Sequence, residues 1–327
     1  MRMKRVVLDT TDGDAVYHCI GRVAGQDFLL GEDEREVFVR MLKEQAVFSG
    51  VEVISYCVMS NHFHLLLRFS DVSKVTDAQL VARVKRFYGK KSVLRELVVE
   101  CFESHGKLVP RLRKPLLSRM GDLSKFMQEL KGRYTRWYNR THERKGTLWS
   151  ERFRSIVVED APEVISMIAA YIDLNPVRAG IAEDPKEYRW CSYAEAVVGG
   201  KEARRGIVSF SESKNWTGAH NRYRQLLFVK AGVSGRSDKT AVDRETILEV
   251  QKKGGSLSMA EVLRLKVRYF SDGVALGSVE HVEKVFGKFR GAFSEKRKKG
   301  ARRMRLKIGD SPARLCTLRD LQKDSVC

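Results

Sequence analysis

The feature that most limits the fold of this chain is the order in which its hydrophobic periodicity changes. Residues 15–22 form a β-branched and aromatic run bounded by glycines, which is typical of a strand. Acidic residues precede the apolar positions of 33–47 and predict a helix with favourable charges at its start. Two apolar runs within 51–69 are broken at Met59-Ser60-Asn61, which predicts two antiparallel strands joined by a tight turn. The chain therefore begins with the order βαββ.

A second helix and a further strand continue this order. Apolar residues recur at helical spacing over 123–142, and the run FRSIVV at 153–158 is typical of a strand. A last helix is predicted over 161–174, where Asn175-Pro176 ends it. The elements then follow the order βαββαβ of the split βαβ motif. The predicted fold class is α+β, with an antiparallel ferredoxin-like sheet.

The length of 327 residues predicts two domains. The first spans 1–197 and contains a charged, partly helical insertion at about 71–118. A Gly/Lys/Ser-rich stretch at 198–218 is predicted to be a linker. Residues 219–327 are predicted to form a second, mainly helical, basic domain with a flexible tail, and 256–286 resembles a helix-turn-helix. The helical patterns of this region centre on 221–231, 242–252, 258–268 and 278–289.

The charge balance points to a polyanionic partner. Lys and Arg number 61 against 41 Asp and Glu, which leaves a net charge of +20. Such a charge favours nucleic acid, because binding to phosphates releases condensed counterions. No apolar run reaches the about 20 residues that a membrane helix needs, so we expect a cytoplasmic, nucleoid-associated protein. The six cysteines are scattered without a C-x-x-C pair, which gives no support to a zinc cluster or a disulfide framework.

A His-x-His pair begins the second strand of the predicted hairpin. Because strand side chains alternate, His62 and His64 project from one face while Phe63 and Leu65 project toward the core on the other. Neutral imidazoles are ligands for divalent transition metals and leave coordination positions open for a phosphate oxygen. A purely structural or exposed pair is the alternative interpretation of these two residues.

The helix predicted over 161–174 places Tyr171 and Asn175 four residues apart and therefore on one face. If that face opposes the histidines, the Tyr171 hydroxyl becomes a nucleophile for a metal-bound phosphodiester and the Asn175 carbonyl completes the metal shell. Spacing alone favours the alternative, in which Tyr171 is a packed aromatic residue and Asn175 is a cap of the helix.

Four strings of the chain together carry a resemblance that no single motif carries. They are YHCIGR, SYCVMSNHFHLLL, RYTRWYNRTHERKGTLWSERFRS and YIDLNPVRAGIAEDPKEYRWCSYAEAV, in this order over most of 1–197. In these strings the chain resembles the single-tyrosine HUH transposases, and more closely their REP-associated tyrosine transposase branch. The resemblance implies a ferredoxin-like catalytic domain that binds hairpin-forming single-stranded DNA, nicks and rejoins one strand, and passes through a 5′-phosphotyrosine intermediate.

The resemblance also implies roles for individual residues. His62 and His64 match the family's metal-binding His-hydrophobic-His, which implies Mg²⁺ or Mn²⁺ as cofactor. Tyr171 matches the nucleophile, so that the implied catalytic residues are Tyr171, His62 and His64. Asn175 matches the position that offers the third metal ligand. Tyr134 and Tyr138 are rival tyrosines whose neighbours better fit packing and DNA contact.

Cations interleaved with aromatic residues predict contact with DNA, since the cations follow phosphates and the rings stack on unpaired bases. The predicted DNA-binding residues of the first domain are Arg133, Arg136, Arg140, Trp149, Arg152 and Arg154. Between 284 and 307 the chain has eleven Lys or Arg and one acidic residue, a run that could bind duplex DNA. The predicted DNA-binding residues of this run are Lys296, Arg297, Lys298, Lys299, Arg302 and Arg303.

The main functional hypothesis is therefore a metal-dependent DNA transposase-like enzyme. A domesticated protein that binds hairpin DNA without cutting it is the first alternative, and a phosphodiesterase that activates water is the second. Related transposases can pair their active sites across a homodimer, but no interface signature is evident, so the oligomeric state stays open.

Overall fold

Strands from both ends of the chain form a single mixed sheet in the computed structural model, which describes residues 5–25, 29–228, 270–303, 315–319 and 321. The strands are β1 (Ala15–Arg22), β2 (Glu52–Val58), β3 (His62–Phe69), β4 (Arg154–Val158), β5 (Ala275–Gly277), β6 (Arg302–Arg303) and β7 (Cys316–Leu318). Their order across the sheet is β2-β3-β1-β4-β5-β7-β6, and all pairs are antiparallel except β4 with β5.

Eleven α-helices are found among the described residues. They are α1 (Glu32–Ser49), α2 (Asp77–Phe87), α3 (Val93–His105), α4 (Pro110–Leu117), α5 (Leu123–Thr141), α6 (Pro162–Asp173), α7 (Asn175–Arg178), α8 (Ser192–Val197), α9 (Lys201–Ser209), α10 (Trp216–Phe228) and α11 (Val279–Lys288). Within this described part, none is both long and apolar enough to cross a membrane.

The strands and long helices up to residue 174 lie where the periodicity predicts them. β1 pairs with both β3 and β4, and β3 also pairs with β2. Acidic residues occupy the first turn of α1, and Gly50 ends that helix with a left-handed φ of 68°. Pro162 occupies the first turn of α6, where its missing N–H costs no hydrogen bond. The mixed α/β class with a mostly antiparallel sheet agrees with the prediction.

Helices cover both faces of the sheet. On one face, α1 and α5 bury apolar side chains against Phe63, Leu65 and Leu67 of β3. On the other face, α6 and the helices α8 to α10 bury theirs against Leu66 of β3 and Ile156 of β4. The alternation of β3 thus separates two cores, and the predicted histidine face is one of the two covered faces.

The predicted insertion at 71–118 forms three helices, α2 to α4, with a small core of their own. Leu80, Val84, Val98 and Leu116 are buried around Phe48 of α1. A capping box at Thr76 and Gln79 starts α2. The insertion is therefore anchored on α1 through Phe48.

The residues predicted to form a linker, 198–218, are instead mostly helical. Gly199 has a left-handed φ of 106° and turns the chain between α8 and α9. Ala203 and Ile207 of α9 are buried against the sheet, and a Cβ on Gly206 would lie 2.4 Å from the Ile54 carbonyl oxygen. The glycines that suggest a linker in the sequence therefore serve a tight turn and a close helix-to-strand approach.

We expect Gly206→Ala to lower the free energy of unfolding by about 1–3 kcal/mol, the usual cost of overpacking. The added methyl group meets backbone, which cannot rotate away. Gly287→Ala in α11 is the matched control, because a Cβ there meets nothing within 4 Å. That control is expected to be neutral or stabilising by up to about 1 kcal/mol. Equal effects in denaturant titrations of the two variants would contradict the packing of α9.

The C-terminal region differs from the predicted helical domain, because its described part adds three strands to the same sheet. Val157 of β4 pairs with Ala275 of β5, and β7 continues the sheet beyond β5. These strands have two or three residues each, too few to show an alternating pattern in the sequence. Helices α10 and α11 agree with the patterns at 221–231 and 278–289. The patterns at 242–252 and 258–268, and the start of the helix-turn-helix candidate, lie outside the described residues.

Candidate active site

His62 and His64 project from the same face of β3, as the alternation predicts, while Phe63 and Leu65 are buried in the opposite core. The two imidazole centroids are 5.2 Å apart and the rings are nearly perpendicular. His64 is only 4% exposed, whereas His62 is half-buried and its Nδ1 lies 2.7 Å from Oδ1 of Asn61. The pair is thus open to the surface on the His62 side.

A third histidine, which sequence reasoning missed, lies beside this pair. His18 on β1 is fully buried, and its Nε2 lies 2.9 Å from Nδ1 of His64. Its Nδ1 lies 2.7 Å from the carbonyl oxygen of Phe270, a residue shortly before β5. The sequence places His18 in a predicted strand, but nothing in that strand points to His64. Only the pairing of β1 with β3 brings the two histidines together.

Burial keeps both inner imidazoles neutral. Loss of hydration lowers the pKa of His18 to about 4 and lowers that of His64 well below its usual value. The neighbouring imidazoles and the guanidinium of Arg178 lower the pKa of His64 further. Neutral imidazole is the form that binds a metal ion.

Tyr171 of α6 lies on the histidine face of the sheet. Its ring centroid is 5.9 Å from that of His64 and 6.0 Å from that of His18. Phe270 packs on the phenol at 5.0 Å, and the Arg178 guanidinium lies 4.1 Å from its centroid. The residue is 6% exposed. The helix predicted to carry a tyrosine toward the histidines does so, although the phenol is also closely packed.

Asn175 has a visible structural role at the end of α6. Its side-chain nitrogen donates to the carbonyl oxygens of Ile172, at 3.0 Å, and of Tyr171, at 3.3 Å. Arg178 also donates to the Tyr171 carbonyl, at 2.7 Å. These donors satisfy helix-end carbonyls, which agrees with the capping interpretation. The amide oxygen of Asn175 is the atom that a metal ion could use.

The rival tyrosines lie on the other face of the sheet. Tyr134 donates its hydroxyl proton to the carbonyl oxygen of Glu34, at 2.9 Å, and Tyr138 donates to that of Leu29, at 3.2 Å. Both belong to the core between α5 and the sheet, and burial raises the pKa of Tyr134. The sheet therefore stands between these phenols and the histidines.

Two arginines, Arg22 and Arg154, lie on the histidine face at this end of the sheet. Arg22 is exposed and lies directly opposite His62 in the register of β1 with β3. Arg154 is exposed and pairs with Ile20, which in turn pairs with His64. Residues that face each other across strands share a face of the sheet. Arg22, which the sequence reasoning did not single out, therefore joins the predicted Arg154 beside the imidazoles.

Most of the predicted DNA-binding cations are exposed. The exposed ones are Arg136, Arg140, Arg152, Arg154, Lys296, Lys298, Lys299, Arg302 and Arg303. Arg133 is half-buried and bonds Glu44 at 2.7 Å, and Arg297 donates to the carbonyl oxygens of Lys299 and Gly300. Arg133 and Arg297 therefore have partners within the protein, and the exposed Arg154 also forms an ion pair with Glu151 at 3.3 Å.

Trp149 is buried, which contradicts the prediction that its ring stacks on a base of bound DNA. Its indole is in the core, where it packs on Phe38, Phe63 and Tyr134. The indole N–H donates to the Thr135 hydroxyl at 2.9 Å. A ring held in this way offers no open face to a base, because both its apolar surface and its donor are already used.

A cleft of about 660 Å³ lies between the insertion and α5, on the side of the sheet away from the histidines. Phe87 and Tyr88 line it from the insertion, and the predicted Arg133 and Arg136 line it from α5. The insertion and the basic helix α5 thus meet at the cleft, and the sheet lies between them and the histidine pair.

The side chains of the candidate site fit a divalent transition metal in part. Among the described residues, no three His, Cys, Asp or Glu side chains are grouped to hold a metal ion. His62 and His64 would supply two imidazole nitrogens and Asn175 an amide oxygen. Imidazole is a better ligand for Mn²⁺ than for Mg²⁺, which prefers oxygen, so this donor set favours Mn²⁺ of the two predicted cations.

Comparison with known proteins gives one family match. Residues 117–175 match the family described as IS200-like transposases. The structure of a REP-associated tyrosine transposase bound to a REP hairpin is similar with a TM-score of 0.40 and 11% identity, over 61% of this chain and 87% of that chain. A crystal structure described as a candidate transposase from Deinococcus radiodurans has a TM-score of 0.24 and 16% identity, over 49% of this chain and 88% of that chain.

These structural similarities are distant, so no residue is assigned from them. No curated protein matches the chain. The family match covers the end of the insertion, α5, β4 and α6, and agrees with the resemblance found in the sequence strings. Residues 117–175, which include Tyr171 and Asn175, are therefore similar to the IS200-like transposases.

Proposed function

We propose that this protein is a metal-dependent single-strand DNA endonuclease and transesterase of the transposase type, with Tyr171 as nucleophile. The observation that carries the proposal is the approach of a phenol from α6 to the histidine pair, at 5.9 Å between the ring centroids of Tyr171 and His64. The strand order β2-β3-β1-β4 supports a ferredoxin-like catalytic domain for this site. The net charge of +20 supports DNA as the substrate.

In the proposed reaction the Tyr171 oxygen attacks a backbone phosphorus. A bond forms between that oxygen and phosphorus, the bond from phosphorus to the 3′ oxygen breaks, and the phenol proton leaves to solvent. The departing 3′ oxygen takes up a proton from solvent, so the products are a 5′-phosphotyrosine and a free 3′-hydroxyl, and attack by that hydroxyl can reverse the reaction and rejoin the strand. The phosphodiester energy is kept, so no nucleotide cofactor is consumed.

Side chains of this chain would prepare that step. His62 and His64, with the amide oxygen of Asn175, would hold Mn²⁺ or Mg²⁺, which supplies charge stabilisation at the scissile phosphate. Arg178 donates to the backbone carbonyl of Tyr171 and lies over its ring, and these two contacts hold the phenol in place. Arg22 and Arg154 would bind the flanking phosphates.

Incubation of the full-length protein with hairpin-forming single-stranded DNA tests the proposal. The probe is a pool of oligonucleotides with randomised flanks, labelled at the 3′ end because a 5′-phosphotyrosine retains the fragment 3′ of the cut. With Mn²⁺ we expect a labelled band that resists denaturant, and with EDTA we expect none. A band that forms equally with EDTA would contradict the role of the metal.

A second candidate function is hairpin binding without cleavage, favoured by the 6% exposure of Tyr171. DNA would then contact the basic surface while the phenol stays packed against Phe270. A gel shift with the same probe, without any denaturant-resistant band at any Mn²⁺ concentration, would support this function over the first.

We expect the double variant Arg22→Ala/Arg154→Ala to bind single-stranded DNA more weakly and with less dependence on salt. The plot of log K against log[salt] has a negative slope. For single-stranded DNA, each lost phosphate contact makes that slope less steep by about 0.7, and the loss of both contacts makes it less steep by about 1.4. Lys107→Ala is the control, because Lys107 is equally exposed but lies on the insertion. Fluorescence anisotropy at several salt concentrations measures the slopes, and equal slopes for the two variants would exclude Arg22 and Arg154 as phosphate ligands.

A further inference from the structure

We propose that His18 is a positioning residue that fixes the protonated nitrogen of His64, so that Nε2 of His64 carries the lone pair. This inference rests on the proposed metal site, for which a lone pair on His64 is required. It is carried by a chain of three buried groups: the Phe270 carbonyl, His18 and His64.

The series of hydrogen bonds starts at a group that can only accept a hydrogen bond. The carbonyl oxygen of Phe270 can only accept, so the 2.7 Å contact requires a proton on Nδ1 of His18. A neutral imidazole has a single N–H, which leaves Nε2 of His18 as an acceptor. The 2.9 Å contact with His64 then requires a proton on Nδ1 of His64. Nε2 of His64 is therefore the unprotonated nitrogen.

The alternative is a charged His18 that donates from both nitrogens. That arrangement would make Nδ1 of His64 the acceptor and move its proton to Nε2. It would place an imidazolium in a fully buried position, where the nearby charged group is the cation of Arg178. An unpaired buried charge beside a second cation is strongly unfavourable. The neutral arrangement is therefore the stable one.

The same geometry is useful for a metal ligand. A histidine ligand commonly donates its other N–H to a fixed acceptor, which sets the ring orientation and strengthens the ligand nitrogen. Here the acceptor is another histidine, itself held by a backbone carbonyl 252 residues away in the chain. The described C-terminal residues thus reach the candidate metal site through Phe270.

Two readouts test His18 in the full-length protein. Long-range ¹H–¹⁵N NMR spectra of ¹⁵N-histidine-labelled protein identify the protonated ring nitrogen of His64, and Mn²⁺ titration followed by EPR gives the affinity for the metal alone. Wild type is expected to show the proton on Nδ1 of His64. The variants are His18→Phe, which removes both hydrogen bonds, and His18→Gln, whose amide can still accept from His64.

We expect His18→Phe to weaken Mn²⁺ binding by about 10- to 100-fold, the usual cost of losing such a partner, and to let the His64 proton move to Nε2. His18→Gln should rescue most of the affinity.

A wild-type proton on Nε2 of His64, or an unchanged Mn²⁺ affinity in a folded His18→Phe protein, would overturn the inference. If His18→Phe does not fold, the inference is tested by the position of the His64 proton in the wild-type spectrum and by the Mn²⁺ affinity of His18→Gln. If wild type binds no Mn²⁺ but has the proton on Nδ1, the proposed metal site fails while the role of His18 in orienting His64 is supported.

Discussion

Tyr171→Phe is expected to abolish the covalent DNA adduct, with a fall in yield of at least about 1,000-fold, as for the loss of other covalent nucleophiles. The substitution removes the attacking oxygen and keeps the ring. The contacts of that ring with Phe270 and Arg178 can therefore persist, and the fold and DNA affinity should change little. Denaturing gels measure the adduct, and gel shifts measure binding in the same samples.

Tyr134→Phe is the matched control for this prediction. It removes the hydroxyl that donates to Glu34, on the far side of the sheet from the histidines. We expect a loss of about 0.5–1.5 kcal/mol of stability, the net value of one hydrogen bond, with a normal adduct yield. An adduct that survives in Tyr171→Phe, or that disappears in Tyr134→Phe alone, would remove Tyr171 from the proposed mechanism.

Phe270→Ala is expected to lower the free energy of unfolding of the whole chain by about 3–5 kcal/mol, the usual cost of removing a buried phenyl ring. Phe270 is fully buried, packs on Tyr171 and lies shortly before β5, the strand that extends the sheet from β4. A loss of this size is a large share of the about 5–15 kcal/mol that stabilises a typical domain. We also expect a reduced adduct yield, because one wall around the phenol is lost.

Val279→Ala, at the exposed start of α11, is the control for Phe270→Ala and should change stability by less than about 0.5 kcal/mol. Denaturant unfolding followed by far-UV circular dichroism compares the two variants. If the C-terminal region were a separate domain, Phe270→Ala would leave the main unfolding transition at the wild-type midpoint and shift only a second, smaller one.

The order of strands and helices up to α6 was predictable because hydrophobic periodicity is a local property. The same holds for the shared face of His62 and His64, which follows from alternation along one strand. The two-residue and three-residue strands β5 to β7 were not predictable, because so few residues carry no periodic signal. Glycines 199 and 206 misled the prediction of a linker, since a glycine needed for a turn or a close approach looks the same in a sequence as one that gives flexibility.

The sequence by itself determined the main strands and helices up to α6, and which residues share a face within one of them, because neighbouring side chains along the backbone decide both. Only the tertiary structure decided which faces meet. It placed Tyr171 on the histidine side and Tyr134 on the other, buried Trp149 in the core, and brought His18 to His64 across 46 positions. Such contacts depend on strand pairing and packing between distant segments, which no local pattern encodes.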